Sequence, residues 1–145
     1  MSGTVLVTLK QNLVDLIRLL DEAVGCQISY ADTANVQAST RERIWIGRSS
    51  NGFQSPAALS PSRRRDERLE VTVWIEVIKT TPELAETRAI TIGKAIEQAI
   101  ASDPKVLATD TLLWATVVRS ITDTFESDAG SLCQHQLVIE ANSRL

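Results

Sequence analysis

The sequence contains few of the residues on which metal and nucleophilic sites depend. It has two cysteines, one histidine and one methionine among 145 residues. Cys26 and Cys133 lie far apart, and His135 is the one histidine. Because a structural zinc site takes four such ligands, three candidates are too few. We predict no metal site and no cofactor, and we expect both thiols to be reduced.

Long apolar runs and an export signal are also missing from the sequence. No run approaches the roughly 20 apolar residues that a membrane-spanning helix needs, and the N-terminus lacks a basic stretch followed by an apolar core. Charged residues make up 23% of the chain, an ordinary share for a globular protein. With 145 residues, the chain is predicted to form one soluble domain over residues 1–145, without a membrane partner.

Catalytic motifs are absent as well. The six glycines are scattered and form no phosphate-binding loop. His135, the one base suited to neutral pH, falls on the apparent inward face of a predicted strand. We therefore interpret it as a core or interface histidine and predict no catalytic residues.

Two helices are predicted from apolar spacing. Over residues 9–24, leucine, isoleucine and valine recur every three or four positions. Thr8 and Gln11 fit a capping box at its start, and Gly25 fits a left-handed cap at its end. A second helix is predicted to begin at Thr81-Pro82 and to end before Pro104.

Alternating patterns predict the strands. They cover residues 41–48 and 69–78, and a closing hairpin of residues 112–125 and 132–140 turns at Asp128-Ala129-Gly130. The predicted order is α-β-β-α-β-β, with room for one further short strand. The predicted fold class is α+β: an antiparallel sheet with two main helices packed on one face.

Positive charge is concentrated in the middle of the chain. Residues 41–68 carry a net charge of +4, which leaves −7 for the remainder of a chain whose total is −3. Residues 49–66, rich in Ser, Pro, Gly and Arg, are predicted to form a long flexible loop, or one that a partner orders. The arginines could form a solvated surface that protects a sheet edge, contact other protein subunits, or contact nucleic-acid phosphates.

Two tryptophans add to this picture. Trp74 falls on the polar face of the strand over residues 69–78, and Trp45 lies in the preceding strand. Aromatic and arginine side chains are typical of the centres of protein interfaces. The alternative is a tryptophan packed beneath the long loop. The residues predicted to lie at a subunit or partner interface are Arg41, Arg43, Trp45, Arg63, Arg64, Arg65, Arg68 and Trp74.

The order of these motifs resembles the tail terminator, or tail completion, proteins of long-tailed bacteriophages. The resemblance covers nearly the full length but includes no catalytic signature, and Lys105-Val106-Leu107-Ala108 departs from the glycine-rich text that relatives often carry after the second helix. The motifs that carry it are the helix from Leu9 to Val24, Glu42-Arg43-Ile44-Trp45-Ile46-Gly47, Arg65-Asp66-Glu67 leading into the strand from Leu69 to Ile75, the helix end from Ala95 to Pro104, and Asp128-Ala129-Gly130.

This resemblance implies a structural virion protein and not an enzyme. Family members form a hexameric ring that caps the finished tail tube, stops its polymerisation and joins it to the head-side connector. The implied partners are further copies of this chain, the tail tube protein, the connector or head-closure protein, and DNA in the lumen. The implied location is the tail or neck of the virion, assembled in the host cytoplasm. The alternatives are another neck or tail-tube component and a small nucleic-acid-binding domain that uses the arginine loop.

Overall fold

The computed structural model describes residues 4–32, 40–47, 51–56 and 65–144, in which helices and strands follow one another as an α+β fold. None of the helices in these ranges is long and apolar enough to cross a membrane. The elements are α1 (Leu6–Arg18), a short 3₁₀ helix (Asp21–Ala23), β1 (Gln27–Ser29), β2 (Glu42–Ile46), β3 (Asn51–Pro56), β4 (Arg65–Lys79), α2 (Pro82–Ser102), β5 (Leu112–Ser127) and β6 (Gly130–Arg144).

The strands form one mixed sheet in the order β1-β2-β4-β6-β5. β2 and β3 both pair with β4, β2 along its C-terminal part and β3 along its N-terminal part. All of these pairings are antiparallel except that of β1 with β2, which is parallel. The predicted sheet was wholly antiparallel, and β1, which follows α1 back into the sheet, makes it mixed.

One face of the sheet is covered by the two helices. The strand predicted over residues 69–78 lies within β4, and its apolar side chains at Leu69, Val71, Val73, Ile75 and Val77 are all buried, as predicted. They join the apolar stripes of α1 and α2 in one core. The opposite face, called the outer face below, carries the alternate residues of each strand.

Helix α1 differs from its prediction at both ends. It begins at Leu6, so Thr8 lies inside the helix and the predicted capping box does not form. The backbone N–H of Val5 instead donates to Glu67 Oε1 at 3.1 Å, a contact across 62 residues. The helix stops at Arg18 and its C-cap is Leu19, so Gly25 does not cap it as predicted. Gly25 follows the 3₁₀ helix instead, and its φ of +91° is left-handed.

Helix α2 forms as predicted because its signals are local. The Thr81 hydroxyl accepts the backbone N–H of Leu84, Pro82 opens the first turn, and the helix ends at Ser102. Its buried stripe narrows at Gly93, where an added Cβ would lie 2.6 Å from His135 Nε2. The glycine therefore lets the helix approach the sheet closely.

The predicted loop over residues 49–66 contains a strand. Residues 51–56 form β3 and pair in register with residues 65–70 of β4. Pairing with an existing strand satisfies backbone groups in a segment whose own composition does not favour a strand. Residues 48–50 and 57–64 lie outside the described residues.

The closing hairpin is longer than predicted, because β5 and β6 stay paired from Ser127–Gly130 down to Leu112–Ser143. Its register shifts between Leu112 and Trp114 and again between Val117 and Arg119. Each shift inserts one extra residue and reverses which alternate side chains point to a given face.

Candidate interaction surface

The outer face of the sheet is built from cross-strand rows that alternate in character. One apolar row runs from Phe125 through Leu132 to Ile78, and a second, the tryptophan row, runs through Ile121, Gln136, Trp74 and Trp45. Between them lies a polar row of Asp123, Gln134, Glu76 and Arg43. Phe125 is 48% exposed and Ile121 42% exposed. The face thus presents apolar side chains on either side of a charged row.

The tryptophan row contains a stacked aromatic pair. Trp45 and Trp74 sit directly opposite one another on β2 and β4, with ring centroids 5.9 Å apart and planes 2° apart. Trp45 is only 8% exposed, while Trp74 is half-buried. Gly47 lies beside this pair, because a Cβ there would be 3.2 Å from the indole nitrogen of Trp74. The two rings are therefore fixed by close packing.

Arg43 links the polar row to the tryptophan row. Its guanidinium carbon lies 4.6 Å from the Trp45 ring centroid, and its terminal nitrogens reach Glu76 at 2.9 Å and Asp32 at 3.2 Å. Gln134 donates to the other oxygen of Glu76 at 3.1 Å. The Arg43 guanidinium therefore contacts both carboxylates and the Trp45 ring. Such combinations of arginine and aromatic side chains are typical of interface centres.

The other predicted interface residues are dispersed. Arg68 belongs to the outer face and pairs with Glu140 at 3.1 Å, six residues along β4 from Trp74, or roughly 20 Å. Arg41 donates to the carbonyl of Ala129 at 3.0 Å, at the hairpin turn. Arg65 begins β4, and Arg63 and Arg64 lie outside the described residues. The structure therefore brings together three predicted residues: Arg43, Trp45 and Trp74.

Sequence patterns missed the exposed apolar residues of β5. Trp114, Ile121 and Phe125 lie on the outer face through their pairing with β6 and are exposed. The irregularity at Val118 conceals this pattern in the sequence. Unbroken alternation along β5 would place Trp114 and Ile121 on opposite faces of the sheet, whereas the extra residue places both on the outer face. Counting back along β5 and β6 from the turn at Asp128-Ala129 would have given the correct pairing of Ile121 and Phe125.

On the helix-covered face, titratable groups are committed to structural contacts. His135 is buried, as predicted, with Nδ1 2.7 Å from the Thr122 hydroxyl, and burial lowers its pKa. Glu42 binds Arg88 at 2.8 Å and lies 3.6 Å from the Cys26 thiol. Burial, then the carboxylate of Glu42, raises the pKa of Cys26 to about 11.

These groups do not form a reactive constellation. A thiol with so high a pKa stays protonated at neutral pH and is a poor nucleophile. Within the described ranges, no three side chains among histidine, cysteine, aspartate and glutamate come together as metal ligands.

Comparisons with known proteins show a shared fold among solved structures. No family model matches the sequence, and no curated protein matches it. Among solved structures, a chain described as "Virion of native gene transfer agent (GTA) particle" matches with a TM-score of 0.67 and 11% sequence identity, over 99% of this chain and 100% of that chain. The two chains share the fold over essentially their whole length.

Proposed function

We propose that this chain is a structural subunit of a phage-like virion and acts as its tail terminator. In this role it forms a hexameric ring at the end of the tail tube, stops polymerisation of the tube and joins it to the head-side connector. The observation that carries the proposal is the outer face, where a stacked tryptophan pair and exposed apolar residues lie on the side away from the helices. The shared fold with a virion chain supports it.

A ring is built from heterologous contacts, in which one surface of each subunit fits a different surface of its neighbour. Each subunit therefore needs two such surfaces, and the ring closes when the rotation between neighbours returns to the first subunit. The tryptophan row supplies one surface of interface-like composition. The charge distribution supplies complementarity, since the segment over residues 41–68 carries +4 and the rest of the chain −7. A basic segment of one subunit can therefore meet the acidic body of the next, or an acidic tube end.

The proposed partners are further copies of the chain, the tail tube protein and the head-side connector or head-closure protein. DNA that passes through the ring is a further contact for the basic segment. The proposed location is the tail or neck of the virion, reached by assembly in the host cytoplasm. The function is binding and termination, without turnover of a substrate.

Nucleic-acid binding by the arginine segment is less well supported by the described contacts. Arg43 and Arg68 are paired with carboxylates, and the Arg41 guanidinium donates to a backbone carbonyl. Guanidinium groups already engaged in this way must break intramolecular contacts before binding phosphate. A tail-tube subunit, the other alternative, would polymerise without stopping.

The experiment is electron microscopy of the purified chain, alone and mixed with tail tubes from the phage that encodes it. A terminator gives one ring at one tube end and prevents further elongation when free tube protein is added. Long filaments of the chain itself would indicate a tube protein, and salt-sensitive DNA binding without rings would indicate a nucleic-acid-binding domain. Tubes that elongate normally with no ring at their ends would refute the proposal.

A matched pair of variants ties the outcome to the outer face. Trp74→Gln removes the half-buried ring from the outer face, and a thermal unfolding measurement establishes that this variant still folds. Leu84→Gln is the control, because Leu84 is 54% exposed but lies on the first turn of α2. Capping of tubes should be lost with the first variant and kept with the second.

A further inference from the structure

The free edge of the sheet offers backbone groups for pairing, apart from the side chains of the outer face. β5 is an edge strand, because β6 pairs with it on one side only. The first part of its open edge is covered by the segment that precedes it, where the Ala115 N–H donates to the carbonyl of Pro104 at 2.7 Å. Beyond the bulge at Val118, residues 119–127 have no backbone partner on that side within the described part of the chain.

The backbone groups along this edge can be assigned by counting from the bulge. The Ala115 N–H points outward, and alternate residues of a strand point the same way. The register shift between Val117 and Arg119 inserts one residue and changes the parity. Ser120, Thr122, Thr124 and Glu126 therefore direct their N–H and C=O groups away from β6.

Protection of this edge is slight. Native edge strands are commonly blunted by proline, charged side chains (lysine above all), bulges or short length. Residues 119–127 contain no proline, lysine or bulge and continue to the hairpin turn. Their charged residues, Arg119, Asp123 and Glu126, are of both signs, so a strand of matching charge can still pair with them. An unprotected edge of this length is a template for another strand.

The side chains of the outer face select the partner. We propose that two copies of this chain pair antiparallel through residues 119–123 of β5, about a twofold axis at Ile121. In this register Arg119 of each copy lies opposite Asp123 of the other. Ile121 lies opposite its own counterpart, and Ser120 opposite Thr122.

Other registers are poorer. A twofold axis at Asp123 places two carboxylates opposite each other, and an axis at Thr122 places Ile121 opposite Asp123. Only the axis at Ile121 pairs both charged residues with opposite charge, which stabilises cross-strand pairs, whereas like charges destabilise them. The positions are also available, because Asp123 has no ion-pair partner among the described residues and Arg119 reaches Glu70 only at 3.9 Å.

The pairing uses the same edge of both copies, so it stops at two chains and is distinct from the heterologous contacts of the ring. It forms a dimer of the free protein through the edge of the sheet and leaves Trp74 and Trp45 accessible, because these two residues lie on β4 and β2. The dimer is measured on the free protein in the absence of tail tubes, whereas capping is measured at the tube ends. Failure of the dimer and failure of the ring are therefore separate outcomes.

Charge reversal provides the first test, read by sedimentation velocity over a range of protein concentrations. Asp123→Arg or Arg119→Asp alone places like charges opposite each other twice per dimer and should weaken dimerisation about tenfold or more. The double variant R119D/D123R restores both pairs with exchanged sign and should recover the dimer. A chain that is monomeric throughout, or a double variant as weak as the single ones, would overturn the proposal.

Disulfide trapping provides the second test. Ile121 of the two copies would form a non-hydrogen-bonded pair with Cα atoms about 4.5 Å apart, within the range that a disulfide spans. Ile121→Cys should form covalent dimers rapidly under mild oxidation. Phe125→Cys is the control, since Phe125 has similar exposure, 48% against 42% for Ile121, but would not meet its own counterpart. Equal trapping of both variants would refute the register.

Discussion

Gly93 allows a strong test of the packing between α2 and the sheet. Substitution by alanine normally stabilises a helix interior by about 1 kcal/mol, because alanine has the higher helix propensity. Here the new methyl group would lie 2.6 Å from Nε2 and 2.7 Å from Cδ2 of His135. The imidazole would have to retreat by roughly 1 Å to reach ordinary van der Waals contact.

The imidazole is poorly able to retreat. Its Nδ1 is held 2.7 Å from the Thr122 hydroxyl, and the residue is buried. Overpacking of this kind costs about 1–3 kcal/mol, and loss of the hydrogen bond adds about 1 kcal/mol. After the propensity gain is subtracted, G93A should lower the free energy of unfolding by about 1–3 kcal/mol.

The assay is urea denaturation followed by circular dichroism, with Lys94→Ala on the exposed side of the same helix as control. The control should change stability by less than about 0.5 kcal/mol. In an H135A background the obstructing ring is gone, so Gly93→Ala should become stabilising by about 1 kcal/mol. A G93A protein more stable than the parent chain, or the same destabilisation with and without His135, would refute the reasoning.

Three further predictions concern strain, capping and pH. Ala108 is exposed and has φ +53°, so Ala108→Gly should stabilise the fold by about 0.5–1.5 kcal/mol. The control Ala101→Gly, in α2, should destabilise the fold by about 0.5–1 kcal/mol. Denaturant midpoints measure both variants, and equal effects would contradict backbone strain at Ala108. Glu67 is 2% exposed and accepts the Val5 N–H, so Glu67→Ala should lower the free energy of unfolding by about 1–3 kcal/mol and Glu67→Gln by less. Thermal unfolding measures both variants, and equal losses would contradict a specific acceptor role. Burial holds the pKa of His135 below its ordinary 6.5, so the unfolded chain binds this proton more readily than the folded chain. The free energy of unfolding should therefore fall as the pH drops through about 6.5. Identical urea midpoints at about pH 7.5 and about pH 5.5 would contradict this.

Helix α2 and strand β4 could be predicted because their signals lie within the elements themselves. Thr81-Pro82 marks a helix start by local hydrogen bonding and a fixed φ, and strict alternation marks a strand with one buried face. The start of α1 could not be predicted in this way. Its first turn depends on Glu67, a residue 62 positions away, which no local pattern connects to Val5.

The candidate surface shows the same division. Tryptophan and arginine composition predicted that Arg43, Trp45 and Trp74 lie at an interface, before any pairing was known. Their assembly into one stacked cluster depends on the register of β2 against β4. Register arises from long-range pairing and cannot be read from either strand alone.

The bulge at Val118 explains why the outer face carries exposed apolar residues at all. Before the bulge, Ala115 and Val117 share the helix-covered face with Ala141 and Ile139 of β6. Unbroken alternation would continue that face through residues 119, 121, 123 and 125, and would turn Ile121 and Phe125 towards the core.

The extra residue reverses this outcome. Thr122 and Thr124 take the inner positions, where their hydroxyls meet His135 and Glu86, each at 2.7 Å. Because buried polar groups need partners, those two contacts fix the reversed register and hold Ile121 and Phe125 outward. The exposed apolar surface is thus a consequence of satisfied polar contacts on the opposite face. A one-residue deletion at Val118 would break those contacts and remove the proposed edge pairing together, while β4 and α2 keep their own packing.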